Sequence, residues 1–384
     1  MTNSEKALKL HEEWGGKIDT VPKCPVNSSE DLALAYTPGV AEPCKVIAED
    51  PSAVYKYTIK ANTIAVVSDG SAVLGLGNIG ALAGLPVMEG KAALFKSFGN
   101  VNAFPICLDT QDTDEIVETV VRIAPAFGGI NLEDISAPRC FEIEERLKER
   151  LDIPVFHDDQ HGTAIVVLAG IINSLRLTGK KKEDCKIVVN GAGAAGTAIT
   201  KLLLRYGFPH VTMCDKNGIL SKSYEGLNWM QKKMVEVTNL ENQTGTLKDA
   251  LVGADIFVGV SAPNIVTQEM IASMNHDSVV FAMANPVPEI MPDKAKEAGA
   301  RIVGTGRSDF PNQVNNVIAF PGIFRGALQG HAKQITEEMK LAAATTLASL
   351  VSDDELSDDH IIPYAFDPRA VDAVSQAVMD HIEQ

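Results

Sequence analysis

Short apolar runs alternate with amphipathic stretches along the first part of the chain. The runs are rich in aliphatic and aromatic residues, as buried strands are, and they lie at 63–68, 102–108, 129–132 and 153–156. Between them, apolar residues at helical spacing predict helices at 86–98 and 115–124, and a further helix that begins near Pro138. This alternation predicts a largely parallel, doubly wound α/β sheet.

A second series of the same kind follows. A long apolar stretch at 162–176 predicts the helix that separates the two series. Further apolar runs then predict five strands, at 186–189, 211–214, 256–260, 279–283 and 301–304. A strong helical pattern covers 326–351 near the C-terminal end.

The length of the chain agrees with two α/β domains. Its 384 residues are more than one hydrophobic core usually serves, and 45% of them are hydrophobic. We expect a first α/β domain at 1–158, a second at 159–315, and a C-terminal helical segment at 316–384 that packs back on the first domain.

Charge and cysteine content exclude several classes of partner and site. Acidic residues outnumber basic ones by 50 to 34, a formal net charge of −16, so neither a nucleic acid nor an anionic membrane is expected as a partner. No C-x-x-C pair indicates a zinc ribbon or a redox dithiol. The N-terminal stretch MTNSEKALKLHEEWGG lacks the apolar core of a signal peptide, and no run approaches the roughly 18 apolar residues of a membrane span. We therefore expect a cytoplasmic protein.

The motif GAGAAG has the context of a dinucleotide site. It follows the apolar run KIVV and opens a predicted helix, and the next predicted strand ends at Asp215. Glycines let the backbone approach a pyrophosphate, and an acid about 20 residues further on binds the ribose hydroxyls. The second domain is thus predicted to be a Rossmann-type dinucleotide-binding domain, with cofactor contacts from Gly191, Ala192, Gly193, Ala194, Ala195, Gly196 and Asp215.

The cofactor expected from this pattern is NAD. The carboxylate of Asp215 would repel the 2′-phosphate of NADP. Lys216 comes next and could pair with that phosphate, so NADP stays open as an alternative.

A second glycine motif, GLGNIG at 75–80, fits a nucleotide site less well. The turn Asp69–Gly70 separates it from the preceding strand, and Gly84 and Pro86 delay the predicted helix that follows. We interpret it as a tight loop near a ligand, with a plain glycine-rich turn as the alternative.

Two acidic pairs follow neighbouring predicted strands. Glu133 and Asp134 come after the third predicted strand, and Asp158 and Asp159 come after the fourth. In a parallel sheet both pairs emerge at the carboxyl edge, where open α/β sheets bind ligands. Converging carboxylates repel one another unless protons or a cation neutralise them, and an all-oxygen set suits Mg²⁺ or Mn²⁺.

Two other interpretations of this region stay open. Either acidic pair taken alone is typical of a helix N-cap. His157 and His161, four residues apart around the second pair, make a zinc site conceivable, but the stretch has no thiolate and lies beside four acids, so zinc ranks below Mg²⁺ or Mn²⁺.

Long segments spread through most of the chain resemble the malic enzyme family in its short microbial form. In family order they are AYTPGVA at 35–41, VVSDGSAVLGLGNIG at 66–80, GLPVMEGKAALFK at 84–96, INLEDI at 130–135, FHDDQHGTA at 156–164, GAGAAG at 191–196, FAMANP at 281–286 and GRSDFPNQVNNVIAFPGIFRGAL at 306–328.

The resemblance implies roles for individual residues. Tyr36 is similar to the general acid of the family, and Lys91 is similar to its general base and also meets the substrate. The implied metal ligands are Glu133, Asp134 and Asp159, with Asp158 beside them.

Two asparagines are similar to family residues that contact the substrate or the nicotinamide end of the cofactor. These are Asn285 and Asn316, whereas Asn315 beside them is a weaker match. One position departs from the family: larger members carry an arginine before LGLG that clamps substrate and cofactor, and this chain has Ala72 there.

The implied reaction is oxidative decarboxylation of (S)-malate to pyruvate and CO₂ with reduction of NAD(P), dependent on a divalent metal. A homodimer is also implied, in which Tyr36 or a lysine such as Lys96 reaches the partner's site. Two alternatives remain: malolactic conversion of malate to lactate with bound NAD, and a non-catalytic protein that senses dinucleotides. The full set of Tyr36, Lys91 and the acids disfavours the second alternative.

Overall fold

A four-stranded parallel sheet organises the first half of the protein. The computed structural model describes residues 2–73 and 75–382. The strands of this sheet follow the order β2-β1-β3-β4, and every neighbouring pair is parallel. Their bounds are β1 Thr63–Ser68, β2 Asn102–Cys107, β3 Gly129–Leu132 and β4 Val155–His157.

A second sheet, with six strands, forms the Rossmann-type unit. Its order is β10-β9-β8-β5-β6-β7, parallel throughout except for the short antiparallel β7. The bounds are β5 Lys186–Asn190, β6 His210–Asp215, β7 Gly218–Ile219, β8 Ile256–Gly259, β9 Val279–Ala282 and β10 Ile302–Thr305. The chain order reverses between β5 and β8, which opens a crevice at the carboxyl ends of these strands. The predicted fold class, two α/β units with one doubly wound dinucleotide sheet, is confirmed.

Helices of the first half fall into two groups. The first four, α1 Asn3–Trp14, α2 Ser29–Ala35, α3 Ala41–Glu49 and α4 Val54–Tyr57, contain no buried residue. The next three cover the first sheet, and they are α5 Gly80–Gly99, α6 Thr113–Ile123 and α7 Arg139–Arg150. We refer to residues 2–58, which carry α1 to α4, as the N-terminal arm.

Helix α8, Asp158–Thr178, joins the two halves through the core. It is long and apolar enough to cross a membrane, but 61% of its apolar window is buried inside the protein, where it packs against the helices that follow. A helix that is apolar on all sides is expected at such a central position.

The remaining helices surround the second sheet or return to the first. Those of the second sheet are α9 Ala194–Tyr206, α10 Trp229–Met234, α11 Leu247–Leu251, α12 Gln268–Ala272 and α13 Pro292–Glu297. The C-terminal ones are α14 Phe320–Gln329, α15 Glu337–Ser349 and α16 Pro368–Met379.

Aromatic packing brings the C-terminal helices against the first sheet. The ring of Phe95 in α5 lies 4.6 Å from that of Phe320 and 5.3 Å from that of Phe324, both in α14. Phe324 also meets Phe156 of β4 at 5.8 Å.

The domain boundaries proposed at 158/159 and 315/316 stay predictions.

The structure corrects three predicted helices. The helix predicted at 162–176 begins at Asp158, so Asp158 and Asp159 lie in its first turn. The helix predicted at 86–98 begins earlier, at Gly80, because the carbonyl of Gly70 accepts the N–H groups of Ile79 and Gly80 and leads the glycine loop directly into α5. Pro86 is tolerated inside α5 because it lies on the exposed face, where water can bond the carbonyl that loses its donor.

The last correction concerns the helical pattern at 326–351. It is divided between α14 and α15, because the first helix ends at Gly330 and Thr336 caps the second. Helix α16 was not predicted, although its N-terminal Asp367-Pro368 pair is a typical helix start.

Candidate active site

Three carboxylates converge at the carboxyl edge of the first sheet. Glu133 and Asp134 follow β3, and Asp159 lies in the first turn of α8, directly after β4. Because β3 and β4 are parallel neighbours, the segments that follow them meet at one edge. One oxygen from each carboxylate lies within 4.8 Å of the others. We call these three residues the carboxylate cluster.

Lys91 lies beside the carboxylate cluster. This side chain from α5 is only 8% exposed, and its Nζ lies 2.6 Å from Oδ2 of Asp158 and 2.8 Å from Oε1 of Glu133. The ring of Phe320 lies 4.3 Å from the ammonium, measured to the ring centroid. A buried ammonium is costly unless carboxylates of this kind compensate it.

The protonation of the acids reflects their burial. Burial, reinforced by the charges of Asp159 and Glu133, raises the pKa of Asp134 to about 8. Burial raises the pKa of Asp158 to about 7, although Lys91 opposes the shift. Burial also raises the pKa values of Glu133 and Asp159. These acids therefore retain protons near neutral pH unless a positive charge beside them favours their ionised forms.

Lys91 responds to the same charges in the opposite sense. Burial alone would lower its pKa, but the charges of Asp158 and Glu133 outweigh burial and raise the pKa of Lys91 above its usual value. Lys91 is thus an ammonium as long as these acids carry their full charge.

A divalent cation fits the carboxylate cluster. Within residues 2–73 and 75–382, Oδ2 of Asp134 and Oδ1 of Asp158 are buried oxygens with no hydrogen-bond partner. Asp134 has a positive φ of 53°. Its N–H donates to Oδ2 of Asp159 at 2.7 Å, and this bond joins the segment after β3 to the first turn of α8. Carboxylate oxygens are the donors that Mg²⁺ and Mn²⁺ prefer.

Asn316 and Gly162 shape the other side of Asp158. The amide of Asn316 donates to Oδ2 of Asp158 at 2.5 Å. A Cβ on Gly162 would lie 1.9 Å from Oδ1 of Asp158, so only glycine fits in this turn of α8. Asn315, the weaker match, instead accepts the N–H of Val317 and caps a short turn.

Sequence reasoning missed two contributors to the site. Asn131 donates to Oε2 of Glu133 at 2.8 Å, and its position two residues earlier, on the same face of the strand, was the available signal. Phe320 covers Lys91 from the C-terminal segment. No local pattern indicated that contact.

The histidines do not join the carboxylate cluster. His161 contacts Oε1 of Glu144 through Nε2 at 2.7 Å and therefore points towards α7. His157 is fully buried, with Nδ1 3.8 Å from Oδ2 of Asp159. Among the described residues, the only group that could hold a metal is the all-oxygen set, so the zinc alternative has no support.

The GAGAAG loop lies at the crevice between β5 and β8. A Cβ on Gly191 would lie 2.4 Å from the carbonyl oxygen of Val260, and one on Gly196 would lie 1.7 Å from that of Gly191. Gly193, by contrast, faces open space immediately before α9, where a phosphate can approach. Asp215 ends β6, and its Oδ1 accepts the N–H of Asn217 at 2.8 Å.

The first glycine motif reaches the second sheet. A Cβ on Gly75 would lie 3.7 Å from the carbonyl oxygen of Asn285, shortly after β9. Gly306 leaves room for the side chain of Asn285, whose Nδ2 would lie 2.8 Å from a Cβ there. This loop therefore lies where the two sheets face each other.

Tyr36 is not bonded to these residues within the described ranges. It follows α2 in the N-terminal arm and is 66% exposed. In the described part of the chain, no hydrogen bond joins it to Lys91 or to the carboxylate cluster. The structure thus places Lys91 with the acids, but not Tyr36.

Comparison with known families identifies two matching regions. Residues 15–148 match the family described as malic enzyme, N-terminal domain, and residues 160–382 match the family described as malic enzyme, NAD binding domain.

Curated relatives match nearly the whole chain. A bifunctional malic/malolactic enzyme of Bacillus subtilis is 59% identical, with 98% of this chain and 92% of the relative covered. An NAD-dependent malic enzyme of Geobacillus stearothermophilus is 58% identical, and the match covers 98% of this chain and 78% of that relative. An NADP-dependent malic enzyme of Haemophilus influenzae is 49% identical, covering 97% of this chain and 52% of that longer protein.

A solved structure agrees with the fold. The NAD-dependent malic enzyme of Thermotoga maritima superposes with a TM-score of 0.94 at 51% sequence identity. The match covers 97% of this chain and 98% of that one.

Proposed function

We infer the reaction of this chain from its family, because the chain belongs to the malic enzyme family over most of its length. It is an enzyme with NAD- or NADP-dependent, decarboxylating malate dehydrogenase activity. We propose that it converts (S)-malate to pyruvate and CO₂, prefers NAD, and requires Mg²⁺ or Mn²⁺.

One observation carries this proposal. Glu133, Asp134 and Asp159 converge within 4.8 Å, and Lys91 lies 2.8 Å from the first of them. The carboxylate cluster would hold the cation, which when bound supplies Lewis-acid stabilisation of negative charge on the substrate oxygen. Oxidation of a 2-hydroxy acid requires both this charge stabilisation and a base close to the C2 hydroxyl.

Lys91 is the proposed base for the C2 hydroxyl. It takes the hydroxyl proton as hydride leaves C2 for the nicotinamide, and Asp158 at 2.6 Å holds the resulting ammonium in place. Asn316 holds Asp158 in turn. The amine must first be neutral, and this requires that the negative charge of the cluster be compensated.

Tyr36 is the proposed acid that protonates C3 after CO₂ leaves. Its exposure in an arm without buried helical residues favours a homodimer in which Tyr36 reaches the partner's site. The arm also exposes large apolar side chains that a partner could cover, among them Trp14, Val21, Leu34 and Val40. Lys96 instead donates to Asn100 and Asn102 of its own chain at 2.9 and 3.0 Å.

Mixed dimers test this arrangement. If Tyr36 acts in the partner's site, a heterodimer of Tyr36→Phe and Lys91→Ala has one site with both wild-type residues, and mixing two inactive variants restores activity. If both residues act within one chain, neither site of the mixed dimer is intact and mixing restores none.

An initial-rate assay tests the reaction itself. Malate is crossed with NAD or NADP, and with Mn²⁺, Mg²⁺ or a chelator, while pyruvate and reduced cofactor are measured. We expect activity that depends on metal and is highest with NAD. Asp159→Asn should require more Mn²⁺ for half activity, whereas the exposed Asp152→Asn should not. Equal rates with chelator would refute the metal site.

A malolactic reaction is the second candidate. It is favoured by the description of the 59% identical relative as a bifunctional malic/malolactic enzyme. The products distinguish the two reactions, because malolactic turnover yields lactate without net NADH, whereas malic turnover yields pyruvate and NADH in equal amounts.

A further inference from the structure

A cavity of about 180 Å³ lies among α7, α8, α9 and α15. It adjoins the same turn of α8 that carries Asp159. Its lining brings together charged and polar side chains from all four helices, among them Glu144, Lys148, His161, Lys201, Glu337 and Lys340. The proposed reaction uses none of them.

His161 is held from two sides in this cavity. Its Nε2 lies 2.7 Å from Oε1 of Glu144 in α7, and its Nδ1 lies 3.3 Å from Nζ of Lys340 in α15. An ammonium can only donate, so Nδ1 accepts from Lys340 and the Nε2–H group donates to Glu144. The two contacts fix both the tautomer and the plane of the ring.

Lys340 is placed for this contact rather than for the surface. It is 3% exposed, although most lysines extend their ammonium into water. Its only other hydrogen bond in the described residues goes to Oε1 of Glu337, whose side chain is half exposed. The buried ammonium therefore joins the C-terminal segment to a turn 179 positions earlier in the chain.

The geometry of α8 links His161 to the metal ligand. Residues of a helix follow one another at about 100°, so Asp159 and His161 point in roughly opposite directions from the same turn. Asp159 is held by the N–H of Asp134 on one side of the turn, and His161 by Glu144 and Lys340 on the other. A rotation of the turn would move both side chains together.

We propose that Lys340 is a positioning residue, which acts through His161 to orient the first turn of α8 and so places Asp159 for the metal. The inference rests on the proposed metal site and adds to it a contribution from the C-terminal segment. Groups that bond directly to a metal ligand typically change metal affinity by about 10–100-fold. Lys340 acts through His161 and the helix turn, so we expect an effect at the lower end of that range.

Binding of Mn²⁺ in the absence of substrate and cofactor tests the proposal. Free Mn²⁺ is measured by electron paramagnetic resonance, so no turnover is needed. Lys340→Met should weaken binding about tenfold. Lys340→Gln, which keeps an N–H donor for Nδ1, should recover part of the loss. Glu337→Gln is the matched control: it removes the negative charge beside Lys340 but keeps an oxygen that accepts its hydrogen bond, and it should leave Mn²⁺ affinity unchanged.

A double variant separates positioning from general loss of structure. If Lys340 acts through His161, then Lys340→Met adds nothing to the Mn²⁺ defect of His161→Phe. Affinity for NADH should stay unchanged in every variant, because among the described residues neither Lys340 nor His161 makes a hydrogen bond to the GAGAAG loop. Unchanged Mn²⁺ binding in Lys340→Met, or additive defects in the double variant, would overturn the inference. Absence of Mn²⁺ binding by the wild-type protein would instead overturn the proposed metal site.

Discussion

Lys91 and Tyr36 differ sharply in their surroundings. Lys91 is 8% exposed and lies between two carboxylates, whereas Tyr36 is 66% exposed in the N-terminal arm. A side chain enclosed by acids is suited to exchanging a proton with the bound hydroxy acid. One on an exposed arm can approach the site from outside. This difference favours roles in separate steps.

Substitution of the two residues should separate these steps. Lys91→Ala should suppress malate oxidation, because the C2 hydroxyl keeps its proton, and Tyr36→Phe should suppress protonation at C3. Each loss in overall malate turnover should be about 10²–10⁴-fold. Reduction of oxaloacetate by NADH bypasses decarboxylation, so Tyr36→Phe should retain much of that activity and Lys91→Ala should not. Equal losses in both variants would argue against the division of roles.

Asp215 should determine the preference between the dinucleotides. Its carboxylate ends β6 beside the crevice, and one of its oxygens accepts the N–H of Asn217. Asp215→Ala removes a charge that repels the 2′-phosphate, so kcat/KM with NADP should rise relative to NAD. Lys216→Ala is the matched control and should change the ratio little. A wild-type preference for NADP would make Lys216 the discriminating residue.

At the scale of elements, α14 connects the C-terminal segment to the site. It places Phe320 over Lys91 and packs Phe324 between α5 and β4. The same face of the helix thus stabilises the fold and covers the ammonium. Its aromatic positions anchor the returning chain, because large buried rings remove much apolar surface from water.

Loss of one of these rings should destabilise the protein strongly. Phe324 is 0% exposed, and Phe324→Ala should lower the free energy of unfolding by about 3–5 kcal/mol. Urea unfolding followed by circular dichroism measures the change. Phe366→Ala, which truncates a ring that is 81% exposed, should cost far less. Similar losses in the two variants would contradict the packing described for α14.

At the scale of the whole molecule, the site forms where the two sheets face each other. The first sheet supplies the acids, α5 supplies Lys91, and the loop after β9 brings Asn285 against the first glycine motif. Neither half holds both the acids and the dinucleotide loop, so substrate and cofactor can meet only at this junction.

The buried acids should make stability depend on pH. The pKa of Asp134 is raised to about 8, so the folded state binds more protons than the unfolded state up to that pH, and stability falls as pH rises towards 8. His161, whose pKa burial lowers to about 4, acts in the opposite sense only below its unfolded value of about 6.5. Between about pH 6.5 and 8, the melting temperature of metal-free protein should therefore fall.

Two comparisons check the origin of this dependence. Asp134→Asn should flatten the decline, because no carboxyl group remains there to titrate. Saturating Mn²⁺ should also flatten it, since bound cation favours the ionised acids. A decline of the same slope in all three samples would assign it to other groups.

Features that depend on neighbouring residues could be predicted from the amino-acid sequence alone. Strand β1 was predicted with its observed bounds, because apolar runs of that length bury both faces of a parallel strand. The GAGAAG loop was predicted from its place between a strand and a helix, since Gly191 and Gly196 have no room for a Cβ. The grouping of the acids followed from their positions after parallel strands.

Contacts between distant segments complete the site, and no sequence pattern indicated them. Gly70 sets the start of α5, Phe320 covers Lys91, and Lys340 meets His161. Tyr36, assigned by resemblance alone, is exposed, and no hydrogen bond joins it to the acids among the described residues of its own chain. These contacts join segments far apart in sequence, and local periodicity carries no information about such pairs because it reports only which face of an element is buried.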